Sequence, residues 1–237
     1  NKNQKHIFLS TAGMSPQVIT ESLYAIAQDH TGTYHWPDEL RIITTVTGGR
    51  KVREGLIELG HLARLCRELG KPVPVFDPDH HLLTIRDARG YAIDDARSVE
   101  AHNAVANFIM SQARELTADN ETSLHASLAG GRKTMTFYMG YAMSMFGRGQ
   151  DRLSHVLVDD GFENSQDFWF PTKAAEHQHI TNQGRELDAS TANVILADIP
   201  FIRHRHNLPD YLQQTGATEP VDFVRLVQLI NLGDHPE

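Results

Sequence analysis

The fold is indicated most clearly by residues 123–135, SLHASLAGGRKTM. Residues 123–129 are a short, mostly apolar run with the length of a buried strand, and Gly130-Gly131 ends it. Residues 132–146 then carry apolar side chains over the length of a helix. A strand that passes through a glycine turn directly into a helix is typical of α/β proteins.

The same alternation of strand and helix occurs before and after this segment. The other predicted strands are residues 6–10, 40–46, 73–76 and 153–158, and the other predicted helices are residues 15–29, 50–69 and 98–116. Right-handed crossovers between such strands give a parallel sheet. The sequence therefore predicts an α/β fold: a Rossmann-like parallel sheet with helices on both faces and the strand order 3-2-1-4-5.

Beyond residue 160 the long helices give way to short segments. We predict strands at residues 168–170 and 194–196, a mobile polar loop at 171–190 and a last helix at 221–231. Residues 1–160 are interpreted as the Rossmann-like core. Residues 161–237 are interpreted as a C-terminal extension of the same domain, packed on that core.

Composition and charge exclude several classes of protein. The 237 residues include 22 Lys and Arg against 30 Asp and Glu, a net charge of −8, which argues against a broad surface for duplex DNA or long RNA. No apolar run approaches the roughly 18 residues of a membrane span, so no membrane partner is expected. The single cysteine, Cys66, cannot form an internal disulfide and favours a reducing, cytoplasmic location.

A ligand site is expected at the carboxyl ends of the first and fourth strands, where the strand order reverses. Ser15 has the residue type of a helix N-cap and Pro16 suits the first helical position, which would direct free backbone amides into the crevice. A capping role alone explains Ser15 equally well. The candidate ligand-binding residues are Ser10, Thr11, Ala12, Gly13, Met14, Gln17, Gly130, Gly131, Arg132 and Thr134.

Arg132 and Lys133 are the most informative residues of these loops. Both fall in the first turn of the predicted helix, where the helix dipole disfavours cations, so a bound anion would explain them. Two solvated surface side chains are the alternative explanation. Arg132 separates the glycines from the lysine, unlike a Walker P-loop, and no G-x-G-x-x-G follows the first strand. ATP hydrolysis and NAD binding are therefore not expected.

Two loops together, STAGMSPQ at residues 10–17 and GGRKTM at residues 130–135, resemble those of the CRISPR-associated Rossmann-fold (CARF) proteins, including the ring nucleases of type III CRISPR systems. The resemblance covers residues 5–160. It implies a homodimer whose paired crevices bind cyclic oligoadenylate, most often the tetramer, which some members cleave. Ser15 and Lys133 match a serine and a lysine of the family and are the implied catalytic residues.

The implied cleavage requires neither a metal nor another cofactor. Attack by the 2′-hydroxyl of the RNA needs in-line geometry and stabilisation of the charge on the phosphate oxygens. Lys133 would balance that charge, and Ser15 with the amides of Gly130 and Gly131 would hold the ribose and phosphate. The products would then end in a 2′,3′-cyclic phosphate.

Other functions stay open at this point. A non-catalytic cyclic-oligoadenylate sensor of a CRISPR effector or regulator would use the same loops without cleavage. A metal enzyme would draw on residues such as 77–81, Asp-Pro-Asp-His-His, but the H-E-x-x-H spacing of zinc hydrolases is missing and no metal is expected. The Met and aromatic residues of the helix after Gly131 are predicted to be core, with Tyr138 or Tyr141 at a dimer contact as the alternative.

Overall fold

The computed structural model describes residues 3–213 and 222–233. The strands of this part of the chain are β1 (Lys5–Ala12), β2 (Glu39–Thr44), β3 (Leu82–Thr84), β4 (Thr122–Ser127), β5 (Arg152–Val158), β6 (His179–Asn182), β7 (Arg185–Asp188) and β8 (Val194–Asp198). The α-helices are α1 (Gln17–Ala27), α2 (Val46–Val52), α3 (His61–Leu69), α4 (Pro78–His81), α5 (Val99–Leu116), α6 (Lys133–Phe146), α7 (Ala175–Gln178), α8 (Asp210–Gln213) and α9 (Phe223–Gly233).

One sheet of six strands organises the fold, in the order β3-β2-β1-β4-β5-β8. The neighbouring pairs among the first five strands are parallel, whereas β8 runs antiparallel to β5. The α/β Rossmann-like fold and the order 3-2-1-4-5 are thus confirmed, and β8 adds an edge that makes the sheet mixed. The order reverses between β1 and β4, which lie side by side with Ser10 opposite Ser127.

The position predicted for the third strand, residues 73–76, is wrong. Within this segment Val75 forms an isolated bridge to β2, and the third strand is Leu82–Thr84 instead. Pro72 and Pro74 lack the backbone N–H that a strand ladder requires, so the pairing cannot extend from Val75 toward the N-terminus. The chain therefore passes through α4 before it joins the sheet.

Helices cover both faces of the sheet. α5 and α6 enclose one face, in a core that includes Ile7 and Leu124. α1 and α3 enclose the other face, in a core that includes Phe8 and Leu40. Successive side chains of a strand point to opposite faces, which is why the neighbours Ile7 and Phe8 belong to different cores.

The helix predicted at residues 50–69 consists of three consecutive elements. Thr45 caps α2 by accepting a hydrogen bond from the Gly48 backbone N–H at 3.2 Å, so helical structure begins earlier than predicted. A π-helical turn, Arg53–Glu58, follows α2 and leads into α3. The apolar stripe continues through all three elements, which is why the sequence pattern alone reads as one helix.

The C-terminal extension is built into the core rather than added to its surface. Trp169 and Phe170 are buried against α1 and α3. A Cβ at Gly55 in the π-helical turn would lie 2.2 Å from the Trp169 ring, so that turn is shaped to receive the extension. The strand predicted at residues 168–170 is wrong, because this buried segment has no regular structure, whereas the strand predicted at 194–196 is confirmed within β8.

The loop predicted at residues 171–190 is also wrong. This segment contains α7 and the antiparallel hairpin of β6 and β7. Ile180 is buried, but most other side chains of the hairpin are not, and the resulting polar composition resembles that of a loop. The helix predicted at 221–231 is confirmed as α9, and residue 221 lies outside the described residues.

Burial of the Met and aromatic residues of α6 is confirmed for most of them. The buried members are Met135, Met139, Met143, Met145 and Phe146. Phe137 is 60% exposed and Tyr141 is 36% exposed. These two residues are four positions apart and therefore share the outward face of the helix, so they do not belong to the core.

Candidate functional site

A crevice lies at the carboxyl ends of β1 and β4, between the β1 loop (residues 13–16) and the β4 loop (residues 128–132). The two loops touch backbone to backbone, because a Cβ at Gly13 would lie 3.3 Å from the Gly131 Cα. The Thr11 hydroxyl donates to the Gly130 carbonyl at 2.9 Å and ties the loops together. The two loops that the sequence singled out therefore form one site.

The glycine pair of the β4 loop has backbone conformations that other residues rarely adopt. Gly130 has φ +91° and Gly131 has φ +76°. Among the described residues, the backbone N–H groups of Gly130, Gly131 and Arg132 have no hydrogen-bond acceptor. Successive unpaired amides of this kind form a concave surface suited to an anion.

Four of the predicted ligand-binding residues lie inside the loops rather than at the surface of the crevice. Ser10, Thr11 and Ala12 are fully buried. The Ser10 hydroxyl donates to the Thr11 carbonyl at 2.9 Å, and the buried Gln17 donates its side-chain amide to the Gln166 carbonyl at 2.9 Å. These hydrogen bonds hold the loops in shape, and direct contact of the four side chains with a ligand does not follow from this arrangement.

The other predicted residues remain accessible at the crevice. Met14, Ser15, Gly131, Arg132 and Lys133 are exposed, and Gly13, Gly130 and Thr134 are half-buried. The Thr134 Oγ1 atom is itself buried and has no hydrogen-bond partner among the described residues. These eight residues belong to the β1 loop, the β4 loop and the first turn of α6.

The prediction that Ser15 caps the first helix is wrong. α1 begins at Gln17, Pro16 occupies the N-cap position, and no side chain caps the helix. The Pro16 carbonyl accepts from the Ile19 backbone N–H at 3.0 Å, so a tight turn precedes the helix and displaces Ser15 from the capping position. The Ser15 hydroxyl has no hydrogen-bond partner among the described residues, which leaves it available to a ligand.

Replacement of Ser15 by alanine is therefore expected to leave the free energy of unfolding within about 0.5 kcal/mol of the wild-type value. Ser98→Ala is the matched control, because Ser98 does cap α5 by accepting from the Ala101 backbone N–H at 3.1 Å. Loss of that cap should cost about 1 kcal/mol. Urea denaturation of both variants measures the difference, and an equal loss in the two would contradict this description of Ser15.

Arg132 is paired within the chain. It stands at the N-cap position of α6 and donates three hydrogen bonds of 2.7–3.0 Å to the carboxylate of Asp95. The Arg97 Nε donates to the same carboxylate at 2.6 Å. The two guanidinium groups, first that of Arg132, lower the pKa of Asp95 below its usual value. The anion that accounts for Arg132 is thus an internal carboxylate, and the inference that this residue requires an anionic ligand is wrong.

Lys133 differs from Arg132, because it has no partner among the residues that the structure describes. It is the first residue of α6 and is exposed, and within residues 3–213 and 222–233 it forms no ion pair or side-chain hydrogen bond. Its charge lies near the positive end of the helix dipole, which disfavours it. The ammonium group is therefore exposed to solvent and available to an anion at the crevice.

Sequence reasoning missed three contributors to the crevice. Asp95 and Arg97 lie between β3 and α5 in a polar stretch without periodicity, where nothing marks two residues out. Gly48 of α2 is the third: a Cβ there would lie 3.0 Å from the Gly13 carbonyl oxygen, so the segment after β2 packs directly against the β1 loop. The hydroxyl of Thr44 adds to this contact by donating to the Ala12 carbonyl at 2.7 Å.

A match to a protein family gives the biological context of the chain. Residues 15–229 match the model of a family described as CRISPR-associated protein NE0113 (Cas_NE0113). The chain belongs to this CRISPR-associated family. The match begins in the β1 loop of this NE0113-family protein and continues through the β4 loop and the C-terminal extension into α9. No match to the chain was found among curated proteins.

The described residues offer neither a metal-binding cluster nor a membrane-spanning helix. No group of three or more His, Cys, Asp or Glu side chains within residues 3–213 and 222–233 is arranged to hold a metal ion. In residues 77–81, the Asp77 carboxylate caps α4 and pairs with the His80 ring at 2.5 Å. No helix in the same described residues has both the length and the apolar character to cross a membrane.

Proposed function

We propose that this CRISPR-associated protein is a ring nuclease that binds a cyclic oligoadenylate, foremost cyclic tetra-adenylate, and cleaves it without a metal. The observation that carries the proposal is Lys133, an exposed cation that is unpaired within the described residues and follows directly on the unpaired backbone amides of the β4 loop. Membership of a CRISPR-associated family supports the biological setting. The resemblance of both loops to those of ring nucleases supports the ligand.

Phosphate groups suit the crevice for two independent reasons. The amides of Gly130, Gly131 and Arg132 and the start of α6 offer hydrogen bonds and a partial positive charge to an anion. The surface of the whole protein carries a net charge of −8, so an anion is attracted only where cations are concentrated locally. The crevice, with Arg97, Arg132 and Lys133, is such a place.

The local charge fits a cyclic tetranucleotide held by two copies of the chain. The charges of Arg97, Arg132, Lys133 and Asp95 sum to two net positive charges for each copy of the chain. A twofold dimer would present four net positive charges, which equals the number of phosphates in cyclic tetra-adenylate. The twofold symmetry of such a dimer also suits the symmetry of the ring. The exposed aromatic pair on α6, Phe137 and Tyr141, provides apolar surface for such a dimer.

The proposed reaction is an in-line displacement at phosphorus. The 2′-oxygen of one ribose forms a bond to the neighbouring phosphorus, and the bond from phosphorus to the 5′-oxygen breaks. The 2′-hydroxyl loses a proton to solvent and the departing 5′-oxygen gains one, so a 2′,3′-cyclic phosphate and a 5′-hydroxyl result. Ser15 and the β4-loop amides would hold the ribose and phosphate in line, and the Lys133 ammonium would offset the charge that develops on the phosphate oxygens.

Incubation with labelled cyclic tri-, tetra- and hexa-adenylate in the presence of a chelator, followed by chromatography, tests the proposal. Linear products with 2′,3′-cyclic phosphate ends are expected. Cleavage only after divalent ions are added would contradict the metal-independent mechanism. Binding without cleavage would instead indicate a sensor, and would appear as a rise in melting temperature, since ligand at 100 times Kd adds about 2.7 kcal/mol. No shift with any ring would contradict binding itself.

Substitution of Asp95 by asparagine is expected to tighten the binding of cyclic oligoadenylate several-fold at low salt. The Asp95 carboxylate occupies the guanidinium of Arg132 and repels phosphates, and asparagine keeps its size while removing its charge. The gain should shrink as salt screens the crevice. Titration at two ionic strengths measures it. A weaker affinity at both would show that Asp95 serves to position Arg132 for the ligand rather than to compete with it.

A further inference from the structure

A cavity lies at the amino-terminal edge of the sheet, opposite the edge that carries the crevice. It has a volume of about 150 Å³. Its floor consists of the first residues of β1, β4 and β5, and its roof is the connection between α1 and β2, which contributes residues 32–35 and 37. In doubly wound sheets this edge is not the usual place for a ligand, so the side chains in it need their own explanation.

The floor is a patch of ring nitrogens and one guanidinium. The strand register places Phe8 beside His125 and His125 beside Arg152, all on one face of the sheet. His6 lies two residues before Phe8 on the same face, and its Nδ1 is 2.6 Å from the Ser123 hydroxyl. The His125 Nε2 forms a hydrogen bond of 2.6 Å with the Ser154 hydroxyl, while its buried Nδ1 has no partner among the described residues.

The roof consists of aromatic rings that stack on this floor. The Tyr34 ring stacks on His125 with 4.8 Å between ring centroids, and the His35 ring stacks on His6 at 4.2 Å. The Tyr34 hydroxyl donates to the Asp198 carboxylate at 2.7 Å and fixes this end of the roof to β8. Two ring stacks and one hydrogen bond therefore hold the roof of the cavity against its floor and β8.

The charge of the cavity is carried by Arg152. Burial holds the pKa of His125 at about 3 and also lowers the pKa of His6, so both rings are neutral near pH 7. Two carboxylates lie near the cavity: Asp38 accepts from the His6 backbone N–H at 2.8 Å, and Asp198 accepts from the Tyr34 hydroxyl at 2.7 Å. Neither forms an ion pair with Arg152 within the described residues. Arg152 is half-buried and forms no ion pair or side-chain hydrogen bond within the described part of the chain.

We propose that this cavity binds a phosphate oxyanion, either free phosphate or the phosphate group of a mononucleotide, through the guanidinium of Arg152. A half-buried guanidinium without a carboxylate is matched best by a planar or tetrahedral oxyanion that accepts two hydrogen bonds. The side-chain amides of Gln4 and Gln150, which also line the cavity, add donors.

Titration with inorganic phosphate, followed through the imidazole NMR signals of His6 and His35, tests the proposal. Substitution of each of these histidines by asparagine assigns its signal. The signals are expected to shift on addition of phosphate. In Arg152→Gln the affinity read from these shifts should fall at least about tenfold, the loss expected when a charge-assisted pair of hydrogen bonds is removed. Lys133→Ala, at the opposite edge of the sheet, should leave the affinity unchanged.

Adenosine monophosphate and adenosine distinguish the two sources of the phosphate. Tighter binding of the monophosphate than of phosphate would identify a nucleotide, and equal binding would identify the free oxyanion. The proposal is overturned if phosphate shifts neither histidine signal, if Arg152→Gln binds as wild type does, or if adenosine binds while phosphate does not. None of these results bears on cleavage of cyclic oligoadenylate, which depends on the other edge of the sheet.

Discussion

Cleavage of cyclic oligoadenylate by the Lys133→Ala variant is expected to be slower than wild type by about 10² or more. Lys133 is exposed at the first position of α6, and within the described residues no carboxylate neutralises it. A fixed cation beside the reacting phosphate stabilises charge that develops in the transition state, and alanine removes that cation without a substitute. The effect should therefore appear in the rate of the chemical step.

Stability should not fall in the same variant. A cation in the first turn opposes the helix dipole, so its removal should leave the free energy of unfolding unchanged or raise it by about 0.3–1 kcal/mol. Lys71→Ala is a matched control, since Lys71 is also exposed but follows α3, whose end lies at the opposite edge of the sheet. That variant should cleave at the wild-type rate.

Single-turnover cleavage at saturating ligand, measured beside affinity, separates the chemical step from binding. If Lys133→Ala cleaves at the wild-type rate once saturated, Lys133 has no part in the chemical step and the crevice is a passive binding site. A loss of affinity alone, with normal cleavage at saturation, would leave Lys133 as a ligand contact. Slower cleavage by both Lys133→Ala and Lys71→Ala would indicate that positive charge in general attracts the ligand, rather than that Lys133 has a specific role.

The parts of the fold that the sequence predicts are those set by local periodicity. The strands of the parallel core alternate with apolar helices, and that alternation admits few arrangements, so the order 3-2-1-4-5 follows from it. Residues 73–76 have the composition of a strand, but Pro72 and Pro74 lack the backbone N–H groups that a ladder needs, and only Val75 pairs with β2. Residues 168–170 are buried but form neither helix nor strand, and a segment of this kind has no periodic pattern in the sequence that would predict it.

The candidate site was predictable in its position but not in its pairings. The reversal of strand order places the β1 and β4 loops at one crevice. The glycines of the two loops, Gly13 and Gly131, lie where the backbone of one loop approaches that of the other. The partner of Arg132 could not be predicted, because Asp95 is 37 residues away in a segment with no pattern. The orientation of Ser10 and Thr11 likewise depends on which face of the strand end turns inward, a tertiary property that residue type does not encode.

Alanine at Gly130 is expected to destabilise the protein by about 3 kcal/mol or more, the largest stability effect that a single substitution in the crevice should have. Gly130 has φ +91°, which costs a residue with a Cβ about 1–3 kcal/mol by itself. The new Cβ would also lie 2.3 Å from the Thr11 carbonyl oxygen. Relief of that clash requires backbone movement, because the obstacle is a carbonyl at the buried end of β1.

Gly131→Ala is the matched comparison, because this neighbour also has a positive φ, of +76°. Its added Cβ would first meet the Met135 Sδ atom at 2.9 Å, and a flexible methionine side chain can move aside at small cost. The loss there should be limited to about 1–2 kcal/mol of backbone strain. Urea denaturation of both variants gives the difference. Equal losses would mean that the contact between the β1 and β4 loops yields easily, and the crevice would then not be held in advance for its ligand.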